Sequence, residues 1–441
     1  MLAHKRKRGV ILSIQGWQRL QAAEYLAAAR YNSGRAFTLE QLSDRTQLST
    51  KTLTKVRHRQ KPVDQPTLVD YFRAFDLTLT PNDYLSQELA HEQSEALLDS
   101  LLQAPLKGQL ALDSPLYVYR PPAEQLLTRE ILQPGALIRI RAPRQFGKTS
   151  LVAKGLARAK ENQLRAVVVS LQLVERSTLI SLDRFLQWLC ATVANRLGLP
   201  HQIEELWQPI FGSSYSCNEY FENYLLPAED TPLLIILDEV NILFNYPDIA
   251  TDFFGLLRAW YERSRHQTQG SVVYQKLRLI ISYSTDVFLP LNIHQSPFNV
   301  GLLIELEPFT LSQVQELALR YGLTPTEFQA EDLRQLLGGN PFLTQLALFH
   351  LSQDRLTLAE ICKNLTSANN IFASHLRQQL VYIEQAPHLK KAIKQIMQST
   401  EKVVLYPIDA YKLQGLGLIR FEDSIPIPSC QLYQLYFSQV L

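Results

Sequence analysis

The segment from Leu137 to Leu151 reads LIRIRAPRQFGKTSL and constrains the chain more than any other. An apolar run enters a short loop, and Gly147, Lys148 and Thr149 then open a helical pattern that continues through Val152, Leu156 and Ala157. A strand, a tight loop and a helix in that order leave several backbone N–H groups unpaired at the helix start, where they attract an anion. The spacing is that of a phosphate-binding P-loop, with Ala142, Pro143, Arg144, Gln145, Phe146, Gly147, Lys148, Thr149 and Ser150 as its candidate contacts. Lys148 would bridge β- and γ-phosphates, and the Thr149 hydroxyl would ligate Mg²⁺. The pattern G-x-x-x-x-G-K-[ST] expects glycine where the chain has Ala142. A methyl group there restricts φ and is expected to alter loop geometry or affinity without abolishing binding.

Two further segments suit the same chemistry. Leu233 to Val240 reads LLIILDEV, an apolar strand ending in two acids. Asp238 would hold Mg²⁺ through water, and Glu239 would polarise the attacking water as a general base. Leu277 to Asp286 reads LRLIISYSTD, which places Ser284 and Thr285 at the carboxyl end of another strand, beside the γ-phosphate. With Ala136–Arg141, Ala166–Leu171, Leu233–Asp238, Leu277–Ser282 and Gly301–Leu306 as strands separated by helical patterns, the fold class is α/β: a parallel sheet buried on both faces by helices. The expected ligands are ATP or ADP with Mg²⁺. An Asn-Lys-x-Asp guanine motif does not occur, which favours ATP over GTP.

A chain of 441 residues predicts about three domains. Residues 1–65 hold 13 Lys and Arg against four Asp and Glu, a net of +9, so the remainder carries −7 of an overall +2. A basic module on an acidic body points to an anionic partner. Cys190, Cys217, Cys362 and Cys430 show neither CxxC spacing nor a neighbouring histidine at ligand spacing, as expected of reduced structural thiols. The basic residues Lys5 to Arg8 precede no long apolar segment, and the longest apolar runs are far short of a bilayer span. No membrane association and a cytoplasmic location are expected.

Phe37 to Phe75 predicts a basic, all-α helix–turn–helix. Thr38 precedes a short helix with Leu39 and Leu42, residues 46–49 form a turn, and Ser49 caps a second helix bearing Leu53 and Val56. That second helix carries Lys51, Thr54, Lys55, Arg57 and Arg59 as candidate contacts to DNA or to a protein partner. At the other end, LYPIDAYKLQGLGLIRFEDSIPIPSCQLYQLYFSQVL suggests a winged helix: a helical segment, an acidic turn within a β-like stretch, and a final aromatic helix. Residues 1–84 therefore form the helix–turn–helix domain, 85–112 a helical connector, 113–308 the ATPase core, 309–369 a helical lid and 370–441 the winged helix.

The segments APRQFGKTS, LLIILDEVNILF, ISYSTDVF and GGNPFL resemble the AAA-like ATPases found mainly in cyanobacteria, a group related to the STAND signalling NTPases and the AAA+ class. QSPFNVG, FTLSQVQEL and CQLYQLYF are also similar to family segments, so the resemblance spans residues 114–441. YVYRPPAEQLL resembles an arginine-containing box and implies that Arg120 and Glu124 lie near the nucleotide. GGNPF resembles the GxP motif of the helical lid and implies that Pro341 packs near the base or sugar. The arginine that many STAND proteins carry after this strand is missing, which leaves Arg258, Arg263 or Arg265 to act in cis or toward a neighbouring subunit. The amino-terminal segment is similar to the helix–turn–helix of proteins associated with vWA–MoxR conflict systems. The resemblance implies a switch ATPase whose nucleotide state sets assembly, including a homo-oligomer, or partner binding in signalling or defence. A DNA-binding ATPase (a transcriptional regulator or a transposition- or loader-like protein) and a non-hydrolysing nucleotide-dependent adaptor are the alternatives.

Overall fold

The computed structural model describes residues 9–32, 37–58, 62–86, 114, 116–265, 272–284, 296–323, 330–353, 357–363, 367, 369–398 and 403–441. The chain forms two compact units. One comprises Met1–Gln125, Thr310–Arg334 and Thr344–Leu358; the other comprises Leu126–Phe309, Gln335–Leu343 and Ala359–Leu441. The connector predicted at 85–112 falls almost wholly outside the described residues.

In the first unit, β1 (Val10–Leu12) pairs antiparallel with β2 (Tyr84–Ser86) and so joins the two ends of a helical module. α1 (Ile14–Tyr31) starts at Ser13, whose Oγ accepts from Gly16 N at 3.0 Å. α2 (Leu39–Thr46) opens on a capping box between Thr38 and Gln41 and stops at Gln47, which takes the left-handed φ of 59°. Ser49 Oγ then accepts from Thr52 N at 3.1 Å and opens α3 (Thr50–His58). α4 (Gln65–Arg73) has Pro66 in its first turn, where no N–H is needed. Leu42, Leu53, Val56, Leu68 and Phe72 bury one face of each helix against Trp17 and Leu20. Each such side chain contributes roughly 1.5–3 kcal/mol of burial. The helix Leu311–Arg320 belongs to the same unit and starts on a second capping box, Thr310 with Gln313. Its Glu316 accepts from the Trp17 indole N–H at 3.2 Å and pairs with Arg320, which also donates to Tyr117 O at 2.7 Å.

The second unit is built on a five-stranded parallel sheet. Its strands are β3 (Leu137–Arg141), β4 (Arg165–Ser170), β5 (Leu233–Asp238), β6 (Leu277–Tyr283) and β7 (Leu302–Glu305), in the order β4–β5–β6–β3–β7. All five expected strands are present, displaced by at most one residue at either end. Leu233 to Leu237 and the whole of β6 are buried, which requires cover on both faces and explains the unbroken apolar run of β5 and the largely apolar β6, interrupted by Arg278 and Ser282. The chain between strands supplies α5 (Lys148–Glu161), α6 (Leu182–Arg196), α7 (Ser213–Tyr220) and α8 (Pro247–Arg265). Phe185, Tyr220, Phe221, Phe253, Phe254 and Trp260 fill the core together with Leu233, Ile235 and Leu237 of β5. Trp260 Nε1 and the Tyr274 hydroxyl both donate to Asn218 Oδ1, which satisfies the polar groups of that aromatic cluster. Cys190 and Cys217 are free buried thiols whose sulfurs lie 3.6 Å apart, a proximity their spacing in sequence does not reveal.

The rest of this unit is helical apart from one hairpin. α9 (Ala373–Glu384), α10 (Pro387–Gln398) and α11 (Pro407–Gly415) precede β8 (Ile419–Glu422) and β9 (Ile425–Pro428), and α12 (Gln431–Val440) follows. Asp423 and Ser424 both take positive φ, as a two-residue hairpin turn requires. No helix among the described residues is long and apolar enough to cross a membrane.

Candidate functional site

The loop after β3 is shaped by two left-handed residues. Gln145 has φ 64° and Gly147 has φ 88°, and Gly147 caps α5. Only glycine adopts the second conformation without strain, so Gly147 is where the pattern needs its glycine. Ala142 is not among the residues with positive φ and is 4% exposed. Its backbone therefore lies outside the left-handed region, where alone a Cβ would be strained. Lys148 is 5% exposed and folds back on its own loop, donating to Ala142 O at 2.9 Å and Pro143 O at 3.0 Å. Burial pushes its ammonium down to about 8; Glu239 and Asp238 pull it up, and Arg144 adds to the depression. Arg144, Gln145 and Thr149 are exposed, Pro143 and Gly147 are half-buried, and Phe146 and Ser150 are buried.

Parallel pairing in the order β5–β6–β3 sets the loop after β3 and the acidic end of β5 at the same edge of the sheet, where Asp238 and Glu239 act on the Lys148 charge. Strand β6 lies between β3 and β5, so the carboxyl ends of three adjacent strands converge there. Glu239 takes the left-handed φ of 58°, and its N–H donates to Asp238 Oδ1 at 3.1 Å. That turn starts the 3₁₀ segment Val240–Asn245, whose Asn241 Oδ1 accepts from Ser284 N at 3.2 Å. Ser284, at the head of β6, is thereby tied to the turn that carries Glu239. Its Oγ is buried without a hydrogen-bond partner among the described residues, an orphan that a ligand oxygen would satisfy. Thr285 lies outside the described residues.

A cleft of about 380 Å³ opens beside the loop, wholly within the second unit. Ala142, Pro143, Phe146 and Ser284 form one wall; Gly338 and Asn340 form another; Gly417, Phe421 and Tyr433 come from the carboxyl-terminal segment. Gly338 has φ 62°, and a Cβ there would meet Ser429 O at 2.5 Å, so this turn must be glycine for two reasons. Asn340 Oδ1 accepts from Leu343 N at 3.1 Å and caps the helix Pro341–Ser352. A Cβ on Gly417 would come within 3.1 Å of Pro143, which measures how closely the carboxyl-terminal segment approaches the loop. Pro341, the expected contact, does not line the cleft: it occupies the first turn of its helix, where its missing N–H costs nothing, and Gly338 and Asn340 line the cleft instead. Phe421 and Tyr433 escaped sequence reasoning; the GGNPF turn pointed to the region of Asn340 though not to Asn340 itself, and the aromatic character of the last helix hinted at Tyr433.

Among the described residues, none of the other candidates lines the cleft. Arg57 turns inward: its guanidinium donates to Glu24 at 2.8 Å and to the Tyr71 hydroxyl at 3.0 Å, and lies 5.0 Å from the Trp17 ring centroid. It is committed to the packing of the helical module and is not part of an open basic face. Thr54 Oγ1 donates to Thr50 O at 2.8 Å, while Lys51 and Lys55 are exposed on α3; Arg59 lies outside the described residues. Arg258 pairs with Glu262 at 2.5 Å and Arg263 with Glu222 at 3.1 Å, and Arg265 lies 5.0 Å from the Tyr261 ring, so all three are occupied on the surface of α8 or beside it. Arg120 and Glu124 belong to the first unit, where one Glu124 oxygen accepts from the Tyr117 hydroxyl at 2.7 Å and from Arg120 N at 2.8 Å. Burial raises the Glu124 carboxyl above its ordinary range against those bonds.

Known proteins share parts of this architecture. An uncharacterized WD repeat-containing protein of Synechocystis is 27% identical over 250 residues, which is 54% of this chain and 20% of that protein; the chain spans about a fifth of that relative's length. Among solved structures, the Walker-type ATPase of Pyrococcus abyssi is similar in fold at 14% identity, with a TM-score of 0.51 over 76% of this chain and 99% of that one. Cdc6p of Pyrobaculum aerophilum aligns at 14% identity over 78% and 98% of the two chains, with a TM-score of 0.39. The five-stranded parallel sheet with flanking helices is that of an α/β P-loop NTPase. Residues 105–439, three quarters of the sequence, match the AAA-like domain model, and the chain belongs to that family.

Proposed function

We propose that this chain is a nucleotide-dependent switch ATPase of the STAND/AAA type, which binds ATP with Mg²⁺, hydrolyses it slowly, and uses the nucleotide state to control assembly or partner binding. The observation that carries the reading is the convergence of Lys148, Asp238, Glu239 and the unsatisfied Ser284 hydroxyl at the carboxyl ends of three adjacent strands. In this reading Lys148 leaves the carbonyls of Ala142 and Pro143 for phosphate oxygens, and the N–H groups at the start of α5 surround the β-phosphate. The donor set fits a magnesium–nucleotide complex: among the described residues no three His, Cys, Asp or Glu side chains cluster as a metal cage, and Mg²⁺ in such sites takes one or two protein oxygens, water and phosphates. Thr149 would supply such an oxygen directly, and Asp238 would hold the ion through water. When bound, the ion would neutralise phosphate charge. Glu239 would orient and deprotonate the attacking water. The cleft walled by Phe146, Phe421 and Tyr433 would take the nucleoside, and the segment from α9 to α12, read as a winged helix, would close over it.

The test is steady-state ATP hydrolysis by the wild type and by Glu239→Gln. A rate reduced by roughly 10²–10³ with ATP still bound is expected. Equal rates in both would remove hydrolysis at this site and leave a non-hydrolysing adaptor.

A second reading, a DNA-binding ATPase, is favoured by one observation: α2 and α3, three residues apart, leave Lys51 and Lys55 exposed, as a helix–turn–helix reading of this segment requires. Phosphate contacts through these lysines would weaken with salt. Mobility shifts of duplex DNA at ~50 and ~200 mM salt, with Lys51 and Lys55 changed to alanine, separate a DNA partner from a protein one; no shift at the lower salt removes this reading.

A further inference from the structure

Tyr433, on α12, lines the cleft at 2% exposure, and its hydroxyl lies 2.7 Å from Nε2 of His375 on α9. His375 is 5% exposed, packed between the rings of Phe342 and Tyr433, and its Nδ1 has no hydrogen-bond partner among the described residues. Burial pushes its imidazole down to about 4, so near pH 7 the ring is neutral and carries a single N–H proton.

Two proton arrangements share the 2.7 Å contact. If Tyr433 donated, the ring proton would sit on Nδ1 as a buried N–H with nothing to accept it. Orphaned buried donors are rarer and costlier than orphaned acceptors. If Nε2–H donates, Nδ1 is left with only a bare lone pair, and the proton of the Tyr433 hydroxyl is free for a second partner. His375 is the one hydrogen-bond partner of that hydroxyl among the described residues, and Tyr433 is a wall of the cleft. Phe421 shares that wall and Phe146 stands on the loop side, so three aromatic rings offer faces to a planar heterocycle in a cleft that Arg141, Glu305, Glu307 and Arg420 also line.

We propose that Tyr433 is a specificity-determining residue, whose hydroxyl donates a hydrogen bond to an acceptor nitrogen or oxygen in the nucleoside part of the bound nucleotide, with His375 fixing its direction from behind. The inference rests on the nucleotide reading of the cleft and adds to it the side chain that senses what lies beyond the phosphates.

The test is calorimetric titration of the full chain with ATP for the wild type, Tyr433→Phe, His375→Leu and the double variant His375→Leu/Tyr433→Phe. The single Phe variant leaves Nε2–H unpaired, so its fold is weakened. The double variant replaces both polar partners by apolar ones and avoids that orphan. Affinity about tenfold below wild type is expected for both variants lacking the hydroxyl. His375→Leu keeps the hydroxyl and should stay within roughly threefold of wild type. A double variant that binds ATP as tightly as the wild type overturns the proposal while leaving the nucleotide site standing. A wild type that binds no ATP overturns the nucleotide reading and this proposal with it.

Discussion

Arg57 and Lys148 are both cations drawn into the protein, one in each unit, and they are held in opposite ways. Burial works against the Arg57 charge, yet Glu24 and Tyr71 more than restore it, and its pKa is raised above the usual arginine value. Lys148 has only the carbonyls of Ala142 and Pro143 at hydrogen-bond distance; Asp238 and Glu239 pull on it without an ion pair among the described residues, and its pKa is lowered to about 8. A cation whose counter-charge is folded in beside it is part of the architecture. One held by neutral dipoles, with its burial uncompensated, is poised for an anion that the chain does not supply. Two motifs that look alike in sequence, a basic residue on a helix in each case, are thus separated by how their charge is balanced.

The largest expected effect tests the second half of that contrast. Lys148→Ala should weaken ATP binding by roughly 100-fold or more by calorimetry, because phosphate loses a buried cation. Unfolding stability should not fall, because an uncompensated buried charge is removed; retained ATP affinity would break the assignment of Lys148 as a ligand group. The next effect tests the first half. Arg57→Ala should destabilise the helical module by about 2–3 kcal/mol in urea unfolding, discounted from a fully buried pair because the Arg57 side chain is about a third exposed. ATP affinity should be unchanged. An Arg57→Ala variant of full stability but weakened DNA or partner binding would return Arg57 to an open basic face.

The third effect, smallest near pH 8, is a pH dependence. The folded-state pKa of Lys148 lies below its ordinary value of 10.5, so the unfolded chain binds more protons between about 8 and 10.5. Stability of the unliganded protein therefore gains from this group as pH rises through that window. Nucleotide binding has the opposite sign. Phosphate favours the ammonium, so ATP affinity should be level up to about pH 8 and then fall by as much as tenfold per pH unit. Titrations from about pH 7 to 10 check this, and a level profile would show that Lys148 keeps its proton without help.

The sheet was legible because β5 and β6 are buried on both faces, which leaves mostly apolar runs, and because GKT and the acidic pair Asp238–Glu239 mark two strand ends by chemistry that little else explains. The turn between α2 and α3 was legible from Thr38 and Ser49, since caps are local. The inward turn of Arg57 was not: it depends on Glu24 and Tyr71, which lie 33 and 14 residues away in the chain. The far wall of the cleft was hidden for the same reason. Gly417, Phe421 and Tyr433 stand more than 260 residues beyond the loop they face, and no local period marks them. Ala142 shows that a pattern records which residue is usual, whereas the backbone angle decides which residue is required.

That distinction changes what a pattern for such loops ought to contain. The strain in this one sits at Gln145, whose left-handed φ of 64° costs a non-glycine residue roughly 1 kcal/mol, and at Gly147, where glycine removes it. A filter that insists on glycine at the first position discards this chain for a place where a small side chain is harmless. A filter written in backbone angles (ordinary at 142, left-handed at 145 and 147) would keep it, and would find other chains in which the same cradle is spelled with different letters.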